Sequence, residues 1–172
     1  HTCVINSPRL LSIGEWQRFL EDVSLISLGL KSIDTYYVFM WSRIRTVSDY
    51  SNRSQVRLRH LLFEDFMEAI VRLASMIALP LDSDLEHTGC EHAGEYIMAM
   101  RYEGDAAERE LVTHRGQSWN REPRQRIWRC VEHLLRYISH MIEVNARGAT
   151  KDLLISSEEM KSFFAQRRKG MR

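Results

Sequence analysis

An all-helical fold is what the sequence predicts, and three observations carry that expectation. Apolar residues recur at three- and four-residue steps along most of the chain, the period of a helix with one buried face. Pro and Gly are scarce, 3 and 8 of 172 residues, so the chain has few of the breakers that punctuate strand-rich folds. Capping boxes, a Ser followed three residues later by Glu, stand at Ser12 with Glu15 and at Ser156 with Glu159, each ahead of an apolar run.

The elements follow in order. A first helix opens at Ser12 and buries Ile13, Trp16, Phe19, Leu20 and Val23, with Gly29 as the stop after a break near Ser27 to Lys31. A second runs from Ser32 to about Val47, and Tyr36, Tyr37, Phe39, Met40, Trp41, Ile44 and Val47 cover so much of its circumference that it is expected at the centre of the core. Ser48 to Arg59 is polar and aperiodic, a loop. A third helix spans Phe63 to Ala78, with Phe66, Ile70, Leu73 and Ile77 on one stripe and Pro80 ending it. Leu81 to Glu95 is acidic and holds a His-Cys-His cluster, so residues 79–123 are expected to be an excursion from the core, with partial helix and loop over Glu103 to Arg126. A long helix from Arg124 to Asn145 then buries Ile127, Val131, Leu134, Leu135, Ile138, Met141 and Ile142 and stops at Gly148. The last helix, from Ser156, carries Met160, Phe163 and Phe164 into a basic tail.

Composition narrows the function. With 44% hydrophobic and 27% charged residues the chain can bury a core as one domain, and no apolar run approaches the roughly 18 to 20 residues of a membrane span. A formal net charge of +1 supplies no field for general nucleic-acid or membrane binding. Three widely spaced cysteines, Cys3, Cys90 and Cys130, do not form the framework of a small secreted domain, so the expected setting is reducing and cytoplasmic. The chain begins at His1 without Met, which suggests a piece of a longer protein.

Two segments share a pattern 94 residues apart: Leu61-Leu62-Phe63-Glu64-Asp65-Phe66 and Ile155-Ser156-Ser157-Glu158-Glu159-Met160. Each has an aliphatic residue, three spacers, an acid and a large apolar residue that starts a helix. This resembles the second half of an EF-hand loop with its exiting helix. Across Trp16 to Ala74, the runs GEWQRFLEDVSLI, SIDTYYVFMWSRI and LLFEDFMEAIVRLA are similar to the degenerate EF-hand region of tubulin polymerisation-promoting proteins and related flagellar and cytoskeletal proteins of protists. The resemblance implies EF-hand-like helix pairs over 33–78 and 124–168 with the excursion between them. It also implies short β-pairing of Leu61 with Ile155, and Asp65 and Glu159 at the last-ligand positions. A plainer reading of the same residues is two capped amphipathic helices.

Calcium is where the pattern departs from the family. A hard cation takes 6 to 8 oxygens, most of them from the first nine loop positions. Counting back from Asp65, the first, third, fifth and sixth positions are Ser54, Val56, Leu58 and Arg59, one weak donor among them. Counting back from Glu159 gives Gly148, Thr150, Asp152 and Leu153, with one carboxylate. Both loops are therefore expected to be calcium-incompetent, and no cofactor is called for.

Other constellations were weighed on their chemistry. His87, Cys90 and His92, beside Glu86 and Glu91, have the donor types of a zinc site but lack the two separated ligand pairs of common zinc modules. The same donors suit a polar acidic loop. Cys130 and His133, three apart on a helix, are the one nucleophile-base arrangement, with a simply buried thiol as the alternative. Nucleotide-loop and hydrolase-elbow motifs are absent. Arg167, Arg168 and Lys169 form a basic patch for an acidic surface such as a tubulin tail, or complement a helix end. Trp16, Trp41 and Trp128 are expected in the core and Trp119 at a contact surface.

The function expected from the sequence is a non-catalytic protein-binding module, a cytoskeletal or flagellar adaptor. Its partner groove would be lined by Met67, Met160 and Phe164, with tubulin or another cytoskeletal protein as partner. The alternatives are a calcium or zinc sensor and a regulatory domain of a larger enzyme.

Overall fold

The computed structural model describes residues 10–43, 59–115 and 124–149, apart from the side chains of 105, 115 and 147–149. Seven α-helices, a 3₁₀ turn at Ile26–Leu28 and one two-stranded ladder make up the regular structure of those residues, an all-α fold. In chain order the strands and α-helices are β1 (Leu11–Ser12), α1 (Ile13–Asp22), α2 (Ser32–Ser42), β2 (His60–Leu61) and α3 (Phe63–Ala74). Then come α4 (Asp82–Thr88), α5 (Ala93–Glu103), α6 (Asp105–Arg115) and α7 (Ile127–Ala149).

Four of the helices, α1 to α4, start by one device. The Glu15 carboxylate accepts the Ser12 backbone N–H at 2.8 Å, Asp34 that of Lys31 at 3.1 Å, Asp65 that of Leu62 at 3.0 Å and Asp84 that of Leu81 at 2.8 Å. An acid at the third helical position thereby satisfies a donor that the helix itself leaves unpaired and sits favourably at the positive end of the dipole. Only Ser12 completes the reciprocal box, its hydroxyl accepting the Glu15 N–H at 3.3 Å. Lys31, Leu62 and Leu81 have no side-chain acceptor to return the bond.

One buried cluster runs from Trp16 to Met141. Trp16, with no exposed surface, packs edge-on against Phe66 at 6.1 Å and donates its indole N–H to the Thr35 carbonyl at 3.0 Å, tying α1 to both α2 and α3. After α1 the chain turns through Val23 and Ser24, where Ser24 holds a left-handed φ of 52°. Long-range bonds fix this turn. Tyr137 of α7 donates to the Val23 carbonyl at 2.9 Å and Arg101 of α5 to the Ser24 carbonyl at 2.8 Å, so the strained residue is held by two other helices. Gly29 then takes φ 87°, and a Cβ there would lie 3.0 Å from Val112 of α6, so both conformation and close packing require glycine.

The structure corrects several expectations. Residues 79–115 are no excursion: Leu85, Ala93, Ile97 and Leu111 are buried, and α5 lies along α7. At Gly94 a Cβ would approach His140 of α7 to 2.5 Å, so glycine is what lets the two helices close. The acidic composition of the segment marks the outer faces of packed helices. α3 ends at Ala74, four residues before the expected boundary, because the chain leaves the helix for the Ala78 N–H to reach the Leu28 carbonyl at 3.1 Å. Ile77 and Ala78 are buried all the same.

α2 is not the most buried helix. It places Thr35, Val38, Phe39 and Ser42 inward and leaves Ile33, Tyr36, Tyr37 and Trp41 outward, Trp41 at 55% exposure. On α7 the buried residues are Cys130, His133, Leu134, Tyr137, Ile138 and Met141, whereas Ile127, Trp128, Leu135 and Ile142 are exposed. The apolar arc of α7 is wider than the groove that receives it. α7 also continues through Gly148 to Ala149 instead of stopping there. No helix among the described residues is long and apolar enough to cross a membrane.

Candidate functional site

Leu61 does form a short antiparallel pair, but its partner is Leu11, with Ser12 opposite His60. Ile155 lies outside the described residues. Fifty residues apart, Leu11-Ser12-Ile13-Gly14-Glu15-Trp16 and Leu61-Leu62-Phe63-Glu64-Asp65-Phe66 obey one pattern, and the correspondence continues inward from Leu20 to Ile70 and from Val23 to Leu73. All four of those inner residues are buried. Counting for the aliphatic residue, the acid and the aromatic from Leu11 would have found the nearer repeat.

The carboxylates of the two segments hold backbone. Asp65 is 2% exposed and accepts the Leu62 N–H, while Glu15 accepts both the N–H and the hydroxyl of Ser12, which lowers its pKa. Neither loop's opening half is described, residues 1–9 and 44–58 being outside.

The zinc candidates have other employment. His87 donates from Nδ1 to the Ser83 carbonyl at 3.2 Å, and His92 caps α5 by accepting the Glu95 N–H on Nδ1 at 3.3 Å. The second bond leaves the His92 proton on Nε2 in the neutral ring. His92 stacks at a tilt on His140 of α7, ring centres 5.2 Å apart, and Cys90 is half-buried. Among the described residues no three or more His, Cys, Asp or Glu side chains gather as a metal site. Asp152 and Glu159 are outside the description.

Cys130 and His133 do not act as a pair. The Cys130 thiol points to the Gln125 carbonyl at 3.8 Å, and burial pushes its pKa up, so little thiolate exists at neutral pH. His133, 3% exposed, meets Asp82 at 3.0 Å from Nε2, and Asp82 in turn receives Arg129 through both oxygens at 2.8 and 2.9 Å. This cluster fastens the start of α4 to α7. Burial holds the His133 pKa below its ordinary value, against the pull of the Asp82 carboxylate.

Of the expected groove, Met67 stands on α3 at 45% exposure, in line with Phe63 at 70% and Val71 at 36%. Met160, Phe164, the basic patch Arg167, Arg168 and Lys169, and Trp119 lie outside the described residues. The structure offers instead an aromatic face that periodicity alone assigns to the core. Ile33, Tyr37 and Trp41 recur every fourth residue along the outer side of α2, with Tyr36 beside them. Tyr37 stacks on Trp41 with ring centres 5.4 Å apart and planes 25° from parallel, and Tyr36 meets Tyr37 edge-on at 6.3 Å. Four large apolar side chains, each 40% exposed or more, leave on the order of 400 Å² of surface uncovered, in the range of the apolar patches that mark interaction sites. Compared with protein-family models, with curated proteins and with solved structures, the chain matches none.

Proposed function

We propose that this chain is a non-catalytic protein-binding module, built on calcium-incompetent EF-hand-like helix pairs, that serves as an adaptor on the cytoskeleton or flagellum. The observation that carries the reading is the outward aromatic face of α2, Ile33, Tyr36, Tyr37 and Trp41. Rigid aromatic side chains lose little freedom when a partner covers them, and such residues dominate the energetics of protein interfaces. The Leu11–Leu61 pair and the repeated aliphatic-acid-aromatic pattern support the paired-hand scaffold, with Glu15 and Asp65 serving as helix caps. Polymerised tubulin is the partner to which the sequence resemblance points. The test is co-sedimentation of the full chain with microtubules at rising concentration. Saturable association is expected. A chain that stays in the supernatant throughout overturns the choice of tubulin as partner.

A further inference from the structure

Beside the α2 face and the Phe63, Met67 and Val71 row of α3, the described residues carry a further exposed apolar surface on α7. At 100° per residue, Ile127, Trp128, Val131, Leu135, Ile142 and Ala146 fall within a sector of roughly 100°, whose inner edge, where Ile138 is buried, adjoins the sector of Cys130, Leu134, Tyr137 and Met141 that faces the core. Trp128 is 58% exposed, Leu135 45% and Ile142 54%. We propose that this seam pairs with the same seam of a second copy of the chain, the two α7 helices running antiparallel about a two-fold axis at Leu135.

The spacing is symmetric about that residue. Trp128 stands seven positions before Leu135 and Ile142 seven after, so reversing one helix against the other sets Trp128 on Ile142 of the second copy and Leu135 on itself. The charges on the outer border of the seam are self-complementary in that direction. Glu132, Arg136 and Glu143 form this border, and between antiparallel helices each border meets its own reversed copy. Arg136 then lies beside Glu132 of the second copy, and by symmetry its Arg136 lies beside Glu132 of the first. Glu132 already bonds Arg129 at 2.6 Å and would share its carboxylate. Parallel pairing would turn this border toward the core side of the other helix and give none of these pairs.

Area fixes the strength. From Ile127 to Ala146 the seam is about 28 Å long and a helix about 10 to 12 Å wide, a footprint on the order of 300 Å² per copy. A standard stable interface removes roughly 800 Å² from each partner, so the dimer is weak and forms with rising concentration.

Sedimentation velocity of the full chain across the micromolar range should show a dimer fraction that grows with concentration. Leu135→Asp, at a half-exposed position outside the core, should weaken pairing at least tenfold. Arg136→Glu should do the same, and mixing it with a Glu132→Arg variant should restore pairing as a heterodimer. Under mild oxidation Leu135→Cys should give covalent dimers above the background of the unmodified chain and Ile142→Cys should not. A chain monomeric at every concentration, or a dimer that Leu135→Asp leaves unchanged, overturns the proposal. Failure of the mixed charge variants to pair, or self-linking of Ile142→Cys as readily as Leu135→Cys, overturns the antiparallel register.

Discussion

Leu11 lies directly opposite Leu61 in a two-residue antiparallel ladder, and each begins a segment that delivers an acid to a helix start and an aromatic to the core. From that pair outward the two segments are built alike, Glu15 with Trp16 and Asp65 with Phe66, and Trp16 meets Phe66 edge-on. The ladder is short because its work is to bring two helix starts together, while the burial of Trp16, Leu20, Ile70 and Leu73 supplies the stability.

The tryptophans separate core from surface. Trp16→Ala should cost about 3 to 5 kcal/mol, the range for removing a large fully buried side chain, and should also remove the indole N–H bond that ties α1 to the Thr35 carbonyl. Trp41→Ala, at 55% exposure, should cost less than about 1 kcal/mol. Urea unfolding of the two variants checks this, and a larger loss for Trp41→Ala would put α2 back at the centre of the core.

Stability should fall as the solution is made mildly acidic. His133 is held neutral by burial, so its folded pKa lies below the unfolded value of about 6.5. The unfolded chain then binds the extra proton between those two values, and the stability present above pH 6.5 is lost as pH drops toward the folded pKa. Asp82, Arg129 and Glu132 are the charged groups around the ring. The loss is at most about 1.4 kcal/mol per pH unit. Unfolding midpoints at pH 7.5 and 5.5 should differ more for the unmodified chain than for His133→Gln, and equal shifts would remove His133 as the cause.

Calcium should leave the unfolding midpoint unchanged. The first, third, fifth and sixth positions ahead of Asp65 offer one weak donor, and Asp65 itself holds the Leu62 N–H. A ligand bound by the folded state alone must raise stability, so a calcium-dependent rise in melting temperature, or heat in calorimetry, would contradict this.

Much of the fold was legible in the sequence where local chemistry decides it. The Ser12 and Glu15 box and the inward stripe of Ile70, Leu73 and Ile77 depend on neighbours within a few residues, whereas α1 ends already at Asp22 and Gly29 closes only the short 3₁₀ turn Ile26–Leu28. What periodicity misjudged depends on how much of a helix the rest of the molecule covers. Tyr36, Tyr37 and Trp41 read as core because they are apolar, yet among the described elements α2 packs chiefly against α1 and α3 and these three side chains face away from them. The acidic run from Asp82 read as an excursion because its charges conceal Leu85 and Ala93, and the helix that Ala93 opens lies along α7. For the site, the pairing of Leu61 is legible as a pattern, but the pattern recurs at two distances and Leu11, in the nearer segment, is the partner. The outward face of α2 was concealed by the same aromatic character that periodicity assigns to a core.

The most direct test of the account is the binding of polymerised tubulin by the unmodified chain, by Trp41→Ala and by Leu135→Asp, each checked for an unchanged unfolding midpoint. The account predicts saturable binding by the unmodified chain, at least tenfold weaker binding by Trp41→Ala, and retained binding by Leu135→Asp, whose substitution lies on the apolar surface of α7. Binding by Trp41→Ala as tight as that of the unmodified chain would contradict the assignment of α2 as the partner face, and absence of binding by all three would contradict tubulin as the partner.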